Sequence, residues 1–221
     1  MGRVFVLKNV RIVYEKFGRM RFVSHLDMNR FMSRMIHKTK LPVWYTEGFN
    51  KHPYITFALP LSLGFESKYE IMDFRIMDDD LPLDDIKEAL NSVFPPYLKI
   101  VDIFEPKMKT GDISYADFEI VFDCDDEKLF EYIKNFLSKK EIIVLKKSKK
   151  GAISQIDIAP KIKSYKVDIG DEITLCLTLP AGGKDNVNPS ILLSVIEKDC
   201  KLGEYTICRT AIYNSEMELF R

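Results

Sequence analysis

Apolar and polar residues alternate along "VRIVYE" (10–15), the period of a half-buried strand. The period then lengthens. "SHLDMNRFMSRMIHKT" (24–39) places apolar residues at 28, 31, 32, 35 and 36, which is helical spacing. Ser24 is placed to cap this helix, with Asp27 at N3 as a box-like partner. "YITFAL" and "YEIMDFRIM" return to a β-rich pattern. "PLDDIKEALNSVF" predicts a second helix, opened by Pro82 and stopped by Pro95 and Pro96. "YLKIVDIF" predicts a closing strand, so the order is β-α-β-β-α-β.

That order recurs. "SYADFEIVFD" predicts a strand, "DDEKLFEYIKNFL" a helix and "EIIVLKK" another strand. "SYKVDIG" and "EITLCLTLP" predict a hairpin around Gly170–Asp171. "NPSILLSVIEK" predicts a helix capped by Asn188 with Pro189 in its first turn, and "EYTICRTAIY" closes the unit. The pattern predicts an α+β fold, a tandem of two ferredoxin-like (split βαβ) domains over residues 1–108 and 109–221. The halves share architecture without evident sequence identity.

Composition is that of a globular chain with a core: 221 residues, 46% hydrophobic and 30% charged. The formal net charge of zero hides an uneven distribution. Residues 1–52 hold 11 Lys and Arg against 3 Asp and Glu, a balance of +8. Residues 53–105 hold 4 against 11, a balance of −7, and residues 128–166 hold 11 against 3, again +8. Two basic segments in a neutral chain predict a local polyanion-binding surface; solvated faces of unrelated elements are the alternative. Convergence of Arg30, Arg34 and Lys51 with Lys146, Lys147, Lys149 and Lys150 on one side would favour the first.

The four cysteines, at 124, 176, 200 and 208, lack C-x-x-C spacing. No metal or cofactor is expected through them, and dispersed thiols suit a reducing, cytoplasmic setting. The N-terminus shows no long apolar segment and no run of 18 apolar residues occurs, so no membrane association is expected.

The candidate site lies in the first basic segment, which holds all three histidines, at 25, 37 and 52. On the helix, residues 27, 30, 34, 37 and 38 fall opposite the Met/Phe stripe, so Arg30 and Arg34 belong to a basic ridge. An exposed helix face with Asp27 paired to Arg30 is the plainer account. "YTEGFNKHPYITFALPLSLG" (45–64) is more specific. Gly48 permits a positive φ and Asn50 tolerates one, while Pro53 holds His52 extended. Phe49, Asn50, Lys51 and His52 are therefore candidate binding residues, with Trp44 or Phe49 as the stacking surface. A second turn, "LPAGGKDNVNPS", offers Gly182, Gly183 and Lys184 as an anion cradle near a helix N-terminus, or as mere hairpin closure. It lacks the G-x-x-x-x-G-K-[ST] run of a P-loop.

Residues 21–67, "RFVSHLDMNRFMSRMIHKTKLPVWYTEGFNKHPYITFALPLSLGFES", resemble the bacterial radical-SAM-linked protein family, a domain of unknown function. The pattern is R-F-x-S-H-L-D, then L-P-x-x-Y-x-x-G-F-N-P-x-P, then F-A-L-P-L-x-x-G-x-E-S. A looser likeness continues through "QIDIAPKIKSY" and "LTLPAGGKDNVNPSILL". Lys51 departs from the family's usual proline. The resemblance implies that Ser24, His25, Asp27, Gly48, Phe49, Asn50 and Pro53 matter, without assigning roles. It also implies a radical SAM protein as partner. This chain lacks the C-x-x-x-C-x-x-C run that would hold a cluster. The expectation is an accessory protein that binds RNA or a ribosomal component. A metal-independent RNA-processing enzyme using histidine and a protein-interaction module working through the acidic segment 66–88 are the alternatives.

Overall fold

The computed structural model describes residues 7–147, 153–183 and 185–221, with the side chains of residues 145–147, 153 and 154 left out of the description. The described residues form an α+β protein with four α-helices and antiparallel strand pairs. The chain divides into two compact units, one running to Thr110 and including Arg221, the other spanning Gly111–Phe220.

The first unit contains β1 (Lys8–Lys16), α1 (His25–Thr39), β2 (Ile55–Phe57), β3 (Glu66–Ile76), α2 (Leu83–Val93) and β4 (Leu98–Phe104). Its strands lie side by side in the order β4–β1–β3–β2, each pairing antiparallel. Period-2 alternation sends Val10 and Ile12 of β1 and Met72, Phe74 and Ile76 of β3 to one face. Met28, Met32 and Ile36 of α1 and Ile86 and Leu90 of α2 meet them there in one core. The methionine stripe of α1 is thus packing surface. At the start of α1 the Ser24 hydroxyl accepts from the Asp27 N–H at 3.2 Å, the expected cap, and donates to the Asp27 carboxylate at 2.7 Å; the carboxylate thus takes the hydroxyl and not the Ser24 backbone N–H of a full capping box. Lys40 ends the helix in the left-handed region, φ 58°.

The second unit contains β5 (Tyr115–Phe122), α3 (Glu127–Leu137), β6 (Ile143–Lys147), β7 (Ile153–Asp157), β8 (Ser164–Ile169), β9 (Ile173–Pro180), α4 (Pro189–Ile196) and β10 (Tyr205–Tyr213). Strand neighbours run β10–β5–β9–β8, all antiparallel. Alternate residues Phe118, Ile120 and Phe122 of β5 are buried, as are Leu129, Ile133 and Phe136 of α3. Asn188 caps α4 by accepting from the Ser190 N–H at 2.9 Å, with Pro189 following as expected.

One element differs from the sequence expectation. "EIIVLKK" does not join the main sheet beside its neighbours. Its β6 pairs with β7, a strand that the sequence pattern does not announce, in a separate two-stranded hairpin. Asp157 closes it: one carboxylate oxygen accepts from the N–H of Ile142 at 2.8 Å and of Ala159 at 3.0 Å. The hairpin is inserted between α3 and β8.

Candidate functional site

The "GFNKHP" turn is the tip of a two-legged arm. Trp44 N–H donates to the Arg75 carbonyl at 2.8 Å, and Tyr54 N–H to the Trp44 carbonyl at 3.1 Å. Tyr45 and Pro53 form a bridge, and Thr46 N–H reaches the His52 carbonyl at 2.9 Å. Backbone polar groups that would otherwise face water are thereby paired across the legs, which fixes the tip. Gly48 has φ 136°, as its lack of a Cβ allows. Asn50, which could tolerate a positive φ, does not adopt one.

Side chains at the tip divide into two groups. Phe49 is exposed to 110% of its reference area and Lys51 is exposed. Neither has a partner among the described residues. His52 is engaged with its own loop: Nδ1 lies 3.0 Å from the Asn50 carbonyl and 3.3 Å from Thr46 Oγ1. In the neutral ring this geometry puts the proton on Nδ1 and leaves Nε2 as the outward acceptor. Trp44 is not an open stacking surface. Tyr54 meets it edge-on at 5.3 Å, and the Arg75 guanidinium lies 5.3 Å from its centroid.

The basic ridge of α1 is present in part. Arg30 pairs with Asp27 at 3.3 Å, and both are mostly exposed. Such a pair contributes a few tenths of a kcal/mol, about 0.2–0.5. Arg34 and Lys38 are exposed with no partner among the described residues. His37 turns to the arm instead, its Nδ1 2.6 Å from the Tyr45 hydroxyl. No histidine touches another among the described residues. The lysines expected to join this surface do not test it. Lys149 and Lys150 lie outside the described residues, and the side chains of Lys146 and Lys147 are not described either; Lys184 of the glycine turn is likewise outside them.

His25 has the most distinctive surroundings. Its ring stands edge-on to Phe57 at 5.1 Å. Beneath it is a cavity of about 10 Å³, enough for one water. Tyr14, Lys16, Glu70, Val23, Pro60 and Leu61 help to line it. Lys16 and Glu70 are each only 4% exposed and Tyr14 1%. Lys and Glu are seldom buried so deeply, since each ion loses several kcal/mol of hydration. Lys16 Nζ donates to the Val23 carbonyl at a long 3.5 Å. The strand register shifts here too, between Tyr14 and Lys16 toward β3 and between Val13 and Tyr14 toward β4. Such irregularities re-aim side chains and recur beside functional sites. The "RFVSHLD" and "FALPL" stretches both contribute to this pocket, through Val23 and His25 and through Phe57, Pro60 and Leu61. Sequence reasoning missed Tyr14, Lys16 and Glu70. The available signal was phase: Tyr14 and Lys16 continue the inward Val10, Ile12 series, and Glu70 precedes the inward Met72, Phe74, Ile76 series.

In the second unit the glycine turn has a packing explanation. Gly182 has φ 115°, and a Cβ there would stand 2.5 Å from the Ile113 carbonyl oxygen. Gly183 faces open space. Asn188 already occupies one donor at the α4 N-terminus. Among the described residues the four cysteines form no disulfide, and no group of three or more His, Cys, Asp and Glu is arranged to hold a metal ion. Burial raises the Cys176 thiol pKa, with Glu119 adding to the effect, so this thiol is a poor nucleophile. No helix of the described residues is long and apolar enough to cross a membrane.

The fold and pocket define an α+β protein with a buried ionisable cluster on one unit. The chain belongs to a family described as uncharacterized proteins conserved in bacteria (DUF2344), whose profile matches residues 9–189. No curated protein matches it. Among solved structures, the crystal structure of an unknown protein from Galdieria sulphuraria is 11% identical, covering 92% of this chain and 99% of that one at a TM-score of 0.28. A likeness that low carries no argument.

Proposed function

We propose that this chain is an accessory protein that binds RNA and presents it, or a ribosomal component, to a radical SAM protein. The observation that carries this reading is Phe49. A fully exposed aromatic ring at the tip of a hydrogen-bonded arm, beside a lysine with no partner among the described residues, costs solubility and packs against nothing described. It suits an unstacked base, with Lys51 on the adjoining phosphate. The balance of +8 over residues 1–52 supports a polyanionic ligand. The radical SAM partner rests on the sequence resemblance, and a cytoplasmic location on the dispersed thiols. Both units are read as split βαβ, ferredoxin-like folds on their matching strand orders, with β6–β7 as an insertion. Fold alone does not choose a function.

Fluorescence anisotropy with labelled single-stranded RNA tests this reading. Binding should weaken steeply between about 50 and 200 mM salt, because each phosphate contact releases counterions. Phe49→Ala should lose roughly 1–3 kcal/mol of binding, the scale of one base–aromatic stack. Its melting temperature should hold, since exposed substitutions usually cost under about 0.5 kcal/mol. RNA binding unaffected by Phe49→Ala, or no binding at low salt, contradicts the proposal.

A second reading, an RNA-processing enzyme using histidine, is favoured by the place of His25 over buried Tyr14, Lys16 and Glu70. A histidine there is placed to act as a general acid or base. Cleavage of labelled RNA in the presence of a chelator, lost in His25→Ala, would support it; intact RNA after prolonged incubation would contradict it.

A further inference from the structure

The outer face of the first unit's sheet, away from both helices, carries an arginine set against two rings that also meet each other. The Arg75 guanidinium lies 5.3 Å from the Trp44 centroid and 5.0 Å from the Tyr54 centroid. The two rings meet at 5.3 Å, at an interplanar angle of 67°. Topology explains the meeting. The arm's legs dock on β3 through the Arg75 carbonyl, so both rings fall beside the Arg75 side chain. Cation–π contact with both rings restrains the guanidinium and uses none of its N–H donors. No carboxylate or carbonyl pairs with that guanidinium among the described residues.

These donors border a cleft of about 140 Å³ lined by Asn9, Tyr54, Thr56, Asp73, Phe74, Arg75 and Pro106. Asn9 stands opposite Arg75 on β1, and Thr56 stands opposite Asp73 on β2. The Asn9 amide, the Thr56 hydroxyl and the Tyr54 hydroxyl have no partner among the described residues. The one acid in the cleft is Asp73. Arg11 grips both of its oxygens, Nε and a terminal nitrogen each at 2.7 Å, so its charge is compensated. The result is a ring-restrained guanidinium, two more polar side chains and an exposed ring.

We propose that this cleft is a phosphate-binding site. Arg75 takes two phosphate oxygens, Asn9 and Thr56 donate to the remainder, and the exposed side of Tyr54 receives the attached base. Planar guanidinium forks match phosphate geometry, and charge-assisted pairs of this kind are among the stronger hydrogen bonds. The phosphate comes either from a mononucleotide or from an RNA chain. The RNA form rests on the function proposed above; the mononucleotide form does not.

Trp44 is the only tryptophan in the chain and belongs to the stack, so intrinsic emission reports the site directly. The full-length protein is titrated with adenosine monophosphate, with adenosine, and with a short single-stranded RNA. Arg75→Gln and Arg75→Lys are titrated in parallel, and a thermal melt checks that each variant is folded. A saturable emission change is expected with the monophosphate and a much weaker one with adenosine. Affinity should fall roughly tenfold or more in Arg75→Gln, the scale of a lost charged hydrogen-bond pair. It should be only partly restored in Arg75→Lys, which keeps charge but loses the fork. If RNA binds by anisotropy while Trp44 stays silent, the site is wrong and the RNA reading survives. If the monophosphate alone binds, the site stands and the RNA reading fails. Equal response to adenosine and its monophosphate, or an unchanged affinity in a folded Arg75→Gln protein, overturns the site.

Discussion

Lys40 holds a backbone conformation that costs an L-residue about 1–2 kcal/mol, because its Cβ crowds the following carbonyl. Glycine is the usual occupant at a helix end of this kind. Lys40→Gly should therefore stabilise the protein by about 1 kcal/mol, raising the melting temperature by roughly 2–4 °C for a chain of this size; a lower melting temperature would show that the lysine side chain holds the end of α1. Tyr69 gives a pH-dependent counterpart. Burial, with help from Asp102, pushes its pKa up to about 12 from 10.0, against the opposing pull of Arg221 and Arg11. The folded state then keeps a proton that the unfolded state gives up. Its contribution is intact below pH 10 and is lost as pH rises toward 12. Chemical denaturation across that window should show a shallower loss of stability in Tyr69→Phe than in wild type. Parallel losses would mean that Tyr69 ionises as freely folded as unfolded.

Helix caps and local turns were the most legible elements, because their determinants are neighbours in the chain. Ser24 with Asp27, and Asn188 with Pro189, can be read from spacing alone. The positive φ at Gly48 was equally local. What escaped was non-local. Trp44 reads as an open ring until Arg75, thirty-one positions on, is folded against it. Lys16 and Glu70 read as ordinary strand-end charges until α1 and the 57–61 loop close over them. The β7 strand is short and mixes Ser, Gln and Asp with its two isoleucines, so its pairing with β6 left little trace in the pattern. Gly182 is the element-scale test of a turn explained by packing. Gly182→Ala would need φ 115° with a Cβ and would press on the Ile113 carbonyl. A loss of more than about 1 kcal/mol in stability is expected, since alanine at a positive φ is destabilising. A neutral effect would free the turn for the anion-binding role.

At the scale of the whole molecule, the first unit concentrates the features that point outward. The arm tip carries Phe49 and Lys51, α1 carries Arg34 and Lys38, and the outer sheet face carries the Arg75 stack. The buried Tyr14, Lys16 and Glu70 cluster under His25 lies in the same unit. The proposed function requires RNA to be held through the arm formed by residues 44–54. Ultraviolet cross-linking of single-stranded RNA to the full-length protein, followed by peptide mass spectrometry, tests it most directly. Adducts are expected within residues 44–54, at Phe49 above all, and they should disappear at high salt and in Phe49→Ala. Adducts confined to the second unit, or none at a salt concentration where binding is measured, would contradict it.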